Sequence, residues 1–154
     1  MKQKIRKVII ILFCLYSAFF IIGSTLAPIM AYFKHYNFSA LLTSLFLYSC
    51  HQQPDRSFWI LGYPMALCCR CYGFYLGVII SGIIALFNKL KISLNVFIFI
   101  FVLCFIDIII NFSINTIHNT GNITRFIVGV LMGVLFIIGL DYLLKFKRRS
   151  KNED

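Results

Sequence analysis

A chain of 154 residues that is 60% hydrophobic and 13% charged, with a mean hydropathy of +0.88, lies outside the soluble range. A soluble domain of this length could not hide so much apolar surface. The net charge of +10 does not point to nucleic acid either, because the basic residues gather where the apolar runs end.

The first run, residues 8–33, follows Lys2, Lys4, Arg6 and Lys7. It is longer than the apolar part of a signal peptide and no clean small-residue cleavage site follows, so a retained membrane helix is expected. Next, Asn37 is placed to cap a short helix in which Phe38, Leu41, Leu42, Leu45 and Phe46 recur at helical spacing. Too short to span, it reads as an outward-facing interfacial helix ending near Cys50, with a re-entrant segment as the alternative. Residues 50–71 form a Cys/His-rich loop, in which Gly62-Tyr63-Pro64 is turn chemistry and Trp59 and Tyr63 suit a membrane–water boundary.

Three further runs follow at residues 67–87, 94–112 and 126–144, and a basic tail occupies 145–154. Each run reaches or approaches the ~20 residues needed to cross ~30 Å of hydrocarbon. Without period-two alternation they select helices over a closed barrel. Eleven of the 15 Lys and Arg residues lie before the first run, at Lys89 and Lys91, or in the tail. The other four are Lys34, Arg56, Arg70 and Arg125. That bias assigns both termini to the cytoplasm and the cysteine-rich loop to the outside of a plasma or inner cell membrane. The expected architecture is all-α: one integral membrane domain, a four-helix bundle with a short interfacial helix and the Cys-rich loop between its first two spans. Gly73 with Gly77, and Gly129 with Gly133, give the second and fourth spans small-residue faces for close packing within the chain.

The chemistry gathers in the loop. Cys68 and Cys71 form a CxxC at the expected first turn of a helix, where the helix N-terminus and Arg70 favour thiolate over thiol. Such a pair can hold two corners of a tetrahedral metal site or form a redox-active disulfide. Cys50-His51 adds a third thiol and an imidazole, a donor set that suits zinc first, then another thiophilic transition metal. Adjacent Cys and His side chains diverge on a regular helix, so both reach one ion only from a helix end or turn. Otherwise His51 orients a cysteine or carries protons. Cys69 points away from Cys68 and reads as a small hydrophobe, as do Cys14 and Cys104 inside apolar runs.

Asp107 is a carboxylate within an apolar span, where it costs roughly 2.5–3.5 kcal/mol on insertion scales and needs a partner. Arg125 is the first choice, Arg56 and Arg70 the alternatives. Such a pair either fixes helix packing or lines the base of an outward-facing pocket as ligand, proton relay or substrate contact. Asp141, four residues before Lys145, is accounted for by that neighbour and by snorkelling. His35 and His118 are the remaining imidazoles that could add a ligand.

The segments CHQQPDRSF, CCRCYGFYLG and NITRFIVGVLMG resemble the small prokaryotic membrane family catalogued as domain of unknown function 2085. The resemblance rests on Cys50, His51, Gln52, Pro54, Arg56, Ser57 and Phe58; on Cys68, Arg70, Cys71, Gly73, Tyr75 and Gly77; on Asp107; and on Arg125, Gly129 and Gly133. Asn111 stands where Gln is expected, Cys69 where Ala is common and Tyr72 where Thr is common. The resemblance implies a multi-helix membrane fold with a shared outward polar site, and no particular reaction.

Two functional readings follow. In the first, Cys50, His51, Cys68 and Cys71 hold zinc for metal handling or transport, or as a structural staple beside an anionic-substrate pocket involving Arg56 and Arg70. The bilayer is the implied partner, and transport by so few helices calls for a homo-oligomer or a membrane partner. In the second, Cys68 and Cys71 are the active pair of a membrane thiol–disulfide oxidoreductase coupled to a quinone, with Cys50 as relay. A metalloenzyme acting on a lipid or peptide, with one coordination position open to water, is a further option, with Asp55 and Asp107 as the bases to try; across the readings the candidate catalytic residues are Asp107, Arg125, Arg56 and Arg70.

Overall fold

The computed structural model describes residues 2–87, 94–113 and 121–150. They form α1 (Lys2–Tyr32), α2 (Tyr36–Leu45), a short 3-10 turn (Pro54–Arg56), β1 (Ser57–Ile60), β2 (Tyr63–Cys68), α3 (Cys69–Phe87), α4 (Leu94–Ser113) and α5 (Asn122–Ser150). Three of these helices, α1, α3 and α5, are long and apolar enough to cross a membrane. At ~1.5 Å per residue the 31 residues of α1 extend about 46 Å, more than the hydrocarbon alone requires. Its first turns carry basic residues, whose long stems favour helix.

Local chemistry explains how α1 hands over to α2. Lys34 takes a left-handed φ of 64°, its N–H donates to Ala31 O at 3.0 Å, and the N–H of His35 donates to Met30 O at 2.9 Å. This is a Schellman closure, built on lysine instead of the usual glycine. It makes His35 the residue before α2, with no side-chain cap, so Asn37 lies inside the first turn of α2 and is not the cap the sequence suggested. Phe46, just past α2, is fully buried over Gly23, where an added Cβ would come within 2.6 Å of its ring. Phe20 packs on it with centroids 4.9 Å apart, and Tyr75 of α3 stacks on Phe20 at 4.6 Å. Gln52 then turns the chain, its amide donating to Thr43 O at 2.6 Å in the last turn of α2.

The segment expected to be loop is instead an antiparallel hairpin of β1 and β2. Its two-residue turn is Leu61-Gly62, both at positive φ (52° and 83°), while Tyr63 and Pro64 belong to β2. Pro64 is tolerated because the sheet has two strands and the missing N–H can face outward. The register sets Ser57 opposite Cys68, which fixes Cys68 at the mouth of α3.

The glycine faces of α3 and α5 interlock. A Cβ on Gly73 would lie 2.3 Å from Phe126 O, on Gly77 2.3 Å from Val130 O, on Gly129 2.1 Å from Arg70 O, and on Gly133 2.2 Å from Phe74 O. Backbone therefore meets backbone, an approach that any side chain would prevent. The order of these contacts makes α3 and α5 run in the same direction, so both N-termini lie at one end. Between them α4 returns, with Phe97 beside Gly139 and Asp107 beside Arg70.

At the opposite end Arg6 of α1 pairs with Asp141 of α5 through Nε and donates from Nη2 to Ala85 O of α3 at 3.0 Å. Asp141 is only 2% exposed. The expectation that snorkelling explains it is thus corrected: the carboxylate is buried, and its partner comes from the first turns of α1, far away in sequence.

Candidate functional site

At the end where α3 and α5 begin, the sulfur atoms of Cys50, Cys68 and Cys71 lie within 4.8 Å of one another. Three thiolates on one tetrahedral zinc, each at ~2.3 Å, sit about 3.8 Å apart, so small rotations would complete such a geometry. Each cysteine comes from a different local device. Cys50 is held by its N–H on Phe46 O at 3.0 Å, beyond the buried ring that anchors α2. Cys68 ends β2, and Cys71 lies in the first turn of α3.

The sulfurs are also furnished with backbone donors. Cys50 Sγ accepts from the N–H of Cys68 at 3.2 Å and of Gln52 at 3.5 Å. The positive φ of 49° at Gln52 belongs to the same turn. Cys68 stands immediately before α3, and the N–H groups of Cys71 and Arg70 point to its sulfur. Donation by the Cys50 thiol, then by the Cys71 thiol and these amides, holds the Cys68 thiol at about 2, against the opposing effect of burial. Cys50, which donates to Cys68, is pushed up.

A cavity of about 220 Å³ opens onto the three sulfurs. Arg56, Arg70 and Arg125 line it, together with His51, Ser49 and Gln53. His51 is exposed and falls outside the three-sulfur cluster, although it shares the cavity. Arg125 is 8% exposed and donates to Asn122 Oδ1 at 3.4 Å; Asn122 in turn donates to Ser57 O at 3.3 Å, tying α5 to the hairpin. Arg70 donates from Nη2 to Asp107 Oδ2 at 2.9 Å. The partner of Asp107 is therefore the alternative weighed from sequence, not the first choice, Arg125. The Nε of Arg70 is buried with no hydrogen-bond partner among the described residues, an omission that costs about 1–3 kcal/mol for a neutral donor and more for a charged one.

Of the other sequence candidates, Cys69 is fully buried, Cys104 is buried, and Cys14 packs against α3 near Gly82. All six cysteines are free. His35 is exposed at the joint of α1 and α2, and His118 lies outside the described residues. Gln52 and Asn122 stood in the segments that carry the resemblance, but sequence reasoning gave neither a role; their amides bond to Thr43 O and Ser57 O, backbone carbonyls chosen by the fold.

The profile of a family described as "Predicted membrane protein (DUF2085)" matches residues 50–138, more than half of the chain. This chain belongs to that family. The matched span begins at Cys50 and contains every cysteine and arginine of the cavity as well as Asp107. The chain is also 41% identical over 75 residues to the uncharacterized protein MJ1492 of Methanocaldococcus jannaschii, a match covering 46% of this chain and 48% of that protein. The chain thus aligns with about half the length of this curated relative. No solved structure matches.

Proposed function

We propose that this is a four-span membrane protein that binds a thiophilic metal, zinc first, through Cys50, Cys68 and Cys71 on the side of the membrane away from the cytoplasm. The observation that carries the reading is the convergence of three sulfurs within 4.8 Å, two from the Cys68–Cys71 segment and the third from Cys50. Backbone donors on Cys50 and Cys68 supply the outer-shell bonds that hold thiolate ligands in place. Zinc with three thiolates carries one net negative charge, which the arginines of the cavity offset. His51, at the same cavity, can supply a fourth ligand, or that position faces the cavity and takes an incoming group. The metal is then either handled at the outer surface or serves the cavity beside it.

Sidedness and span number rest on the charge bias and on α4. Its 20 residues run antiparallel to α5 and reach from one end of the helices to the other. With α4 as the fourth crossing, both termini share one face and the cysteines the opposite one, as eleven basic residues against four require.

The test is elemental analysis with free-thiol counting on protein purified without added metal. About one equivalent of metal is expected, lost in Cys50→Ser, Cys68→Ser and Cys71→Ser and retained in Cys69→Ser and Cys14→Ser. A metal-free protein with a reducible Cys68–Cys71 disulfide would overturn the reading. The thiolate character of Cys68 favours the redox alternative in that event.

A further inference from the structure

The cavity holds a chemistry that the thiols do not use. Three guanidinium groups reach it from three elements: Arg56 from the 3-10 turn, Arg70 from the first turn of α3 and Arg125 from the first turn of α5. Among the described residues its lining includes no Asp or Glu, and Asp107 is paired with Arg70. Three arginines set against Asp107 and the one net negative charge of a zinc–trithiolate centre still leave positive charge at one small cavity, with Arg125 buried, and a further anion would balance it. Two further features point the same way. Arg70 Nε is a buried donor without an acceptor among the described residues, and α3 and α5, being parallel, both present their positive N-terminal ends at this site.

We propose that the cavity binds a phosphoryl oxyanion, with Arg56 and Arg125 as its anchors and Arg70 set in position by Asp107. A planar carboxylate offers two oxygens and is satisfied by one guanidinium fork, whereas arginines drawn from separate elements suit a phosphoryl group, which has more acceptor oxygens to share. At about 220 Å³ the cavity is smaller than the ~300 Å³ at which pockets for drug-sized ligands begin, so it suits a phosphate and its first substituent. The phosphoryl group can come from dissolved phosphate or its small esters, or from the headgroup of a lipid at the membrane surface. This deepens the reading of the same site, yet it stands on the arginines and does not require that the metal be zinc.

Binding is measured on the full-length protein, metal-loaded and metal-stripped in parallel. Inorganic phosphate and acetate are titrated into detergent-solubilised protein, and nanodiscs containing phosphatidic acid are compared with nanodiscs of phosphatidylcholine alone. Phosphate or phosphatidic acid is expected to bind, acetate at least about tenfold more weakly, and Arg56→Gln or Arg125→Gln to weaken binding about tenfold each. Arg56→Lys and Arg125→Lys keep the charge and should recover part of it. Saturation by inorganic phosphate identifies a soluble source; binding confined to phosphatidic acid identifies a lipid headgroup. Unaltered metal content and unfolding temperature in the variants show that the pocket, not the fold, was changed. Absence of binding in both arms, acetate binding as well as phosphate, or folded Gln variants binding like the parent would each overturn the proposal. Binding retained by metal-stripped protein would uphold it even where the metal assignment fails.

Discussion

The two ends of the helices handle charge in opposite ways. At one end Arg6 and Asp141 neutralise each other, and Arg6 adds a bond to Ala85 O, so a buried pair joins α1, α3 and α5. At the other end three arginines and three cysteines line a cavity, Arg70 pairs with Asp107, and a guanidinium N–H is left without an acceptor among the described residues. A closed account of charge marks a clasp. Surplus positive charge beside clustered sulfur marks a place arranged for a ligand, at some cost in stability. The family match includes the cysteines and arginines of the second end and stops short of Asp141.

The contrast can be broken most strongly at the clasp. Asp141→Ala leaves Arg6 buried without its partner and should destabilise the protein by about 3–5 kcal/mol in reversible micellar unfolding. Metal content per folded molecule should not change. Gly129→Ala places a Cβ 2.1 Å from Arg70 O, so α3 and α5 must separate; a loss of about 1–3 kcal/mol is expected, with reduced metal affinity because Arg70 and Cys71 shift together. Asp107→Asn should cost only about 1–2 kcal/mol, since both partners are roughly a quarter exposed, but it should weaken phosphate binding by freeing Arg70. The smallest effect is expected at Gln52→Ala, about 1 kcal/mol from the lost bond to Thr43 O, with faster metal loss to a chelator as Cys50 loosens.

Apolar runs and glycine spacing made the helical, membrane-spanning character legible, because hydropathy and the i, i+4 glycine face are local signals. The three cysteines could be grouped for the same reason: CxxC is local, and Cys50 is the one thiol outside the apolar runs. The hairpin was not legible. Its turn begins with Leu61 at positive φ, where Asn, Asp or Gly is the usual signal, and Pro64 argued against a strand. Long-range pairing was the other limit. Lys145 offered a local explanation for Asp141, while the true partner lies 135 residues away, and three arginines competed on paper for Asp107. Which of them wins depends on helix rotation, set by the glycine contact of α3 with α5.

The most direct test of the central claim is X-ray absorption at the metal edge of the purified, metal-bound protein. The predicted first shell is three sulfurs at ~2.3 Å and one lighter nitrogen or oxygen atom at ~2.0–2.2 Å. A shell made only of nitrogen and oxygen, or a sulfur count unchanged by Cys50→Ser, would contradict it.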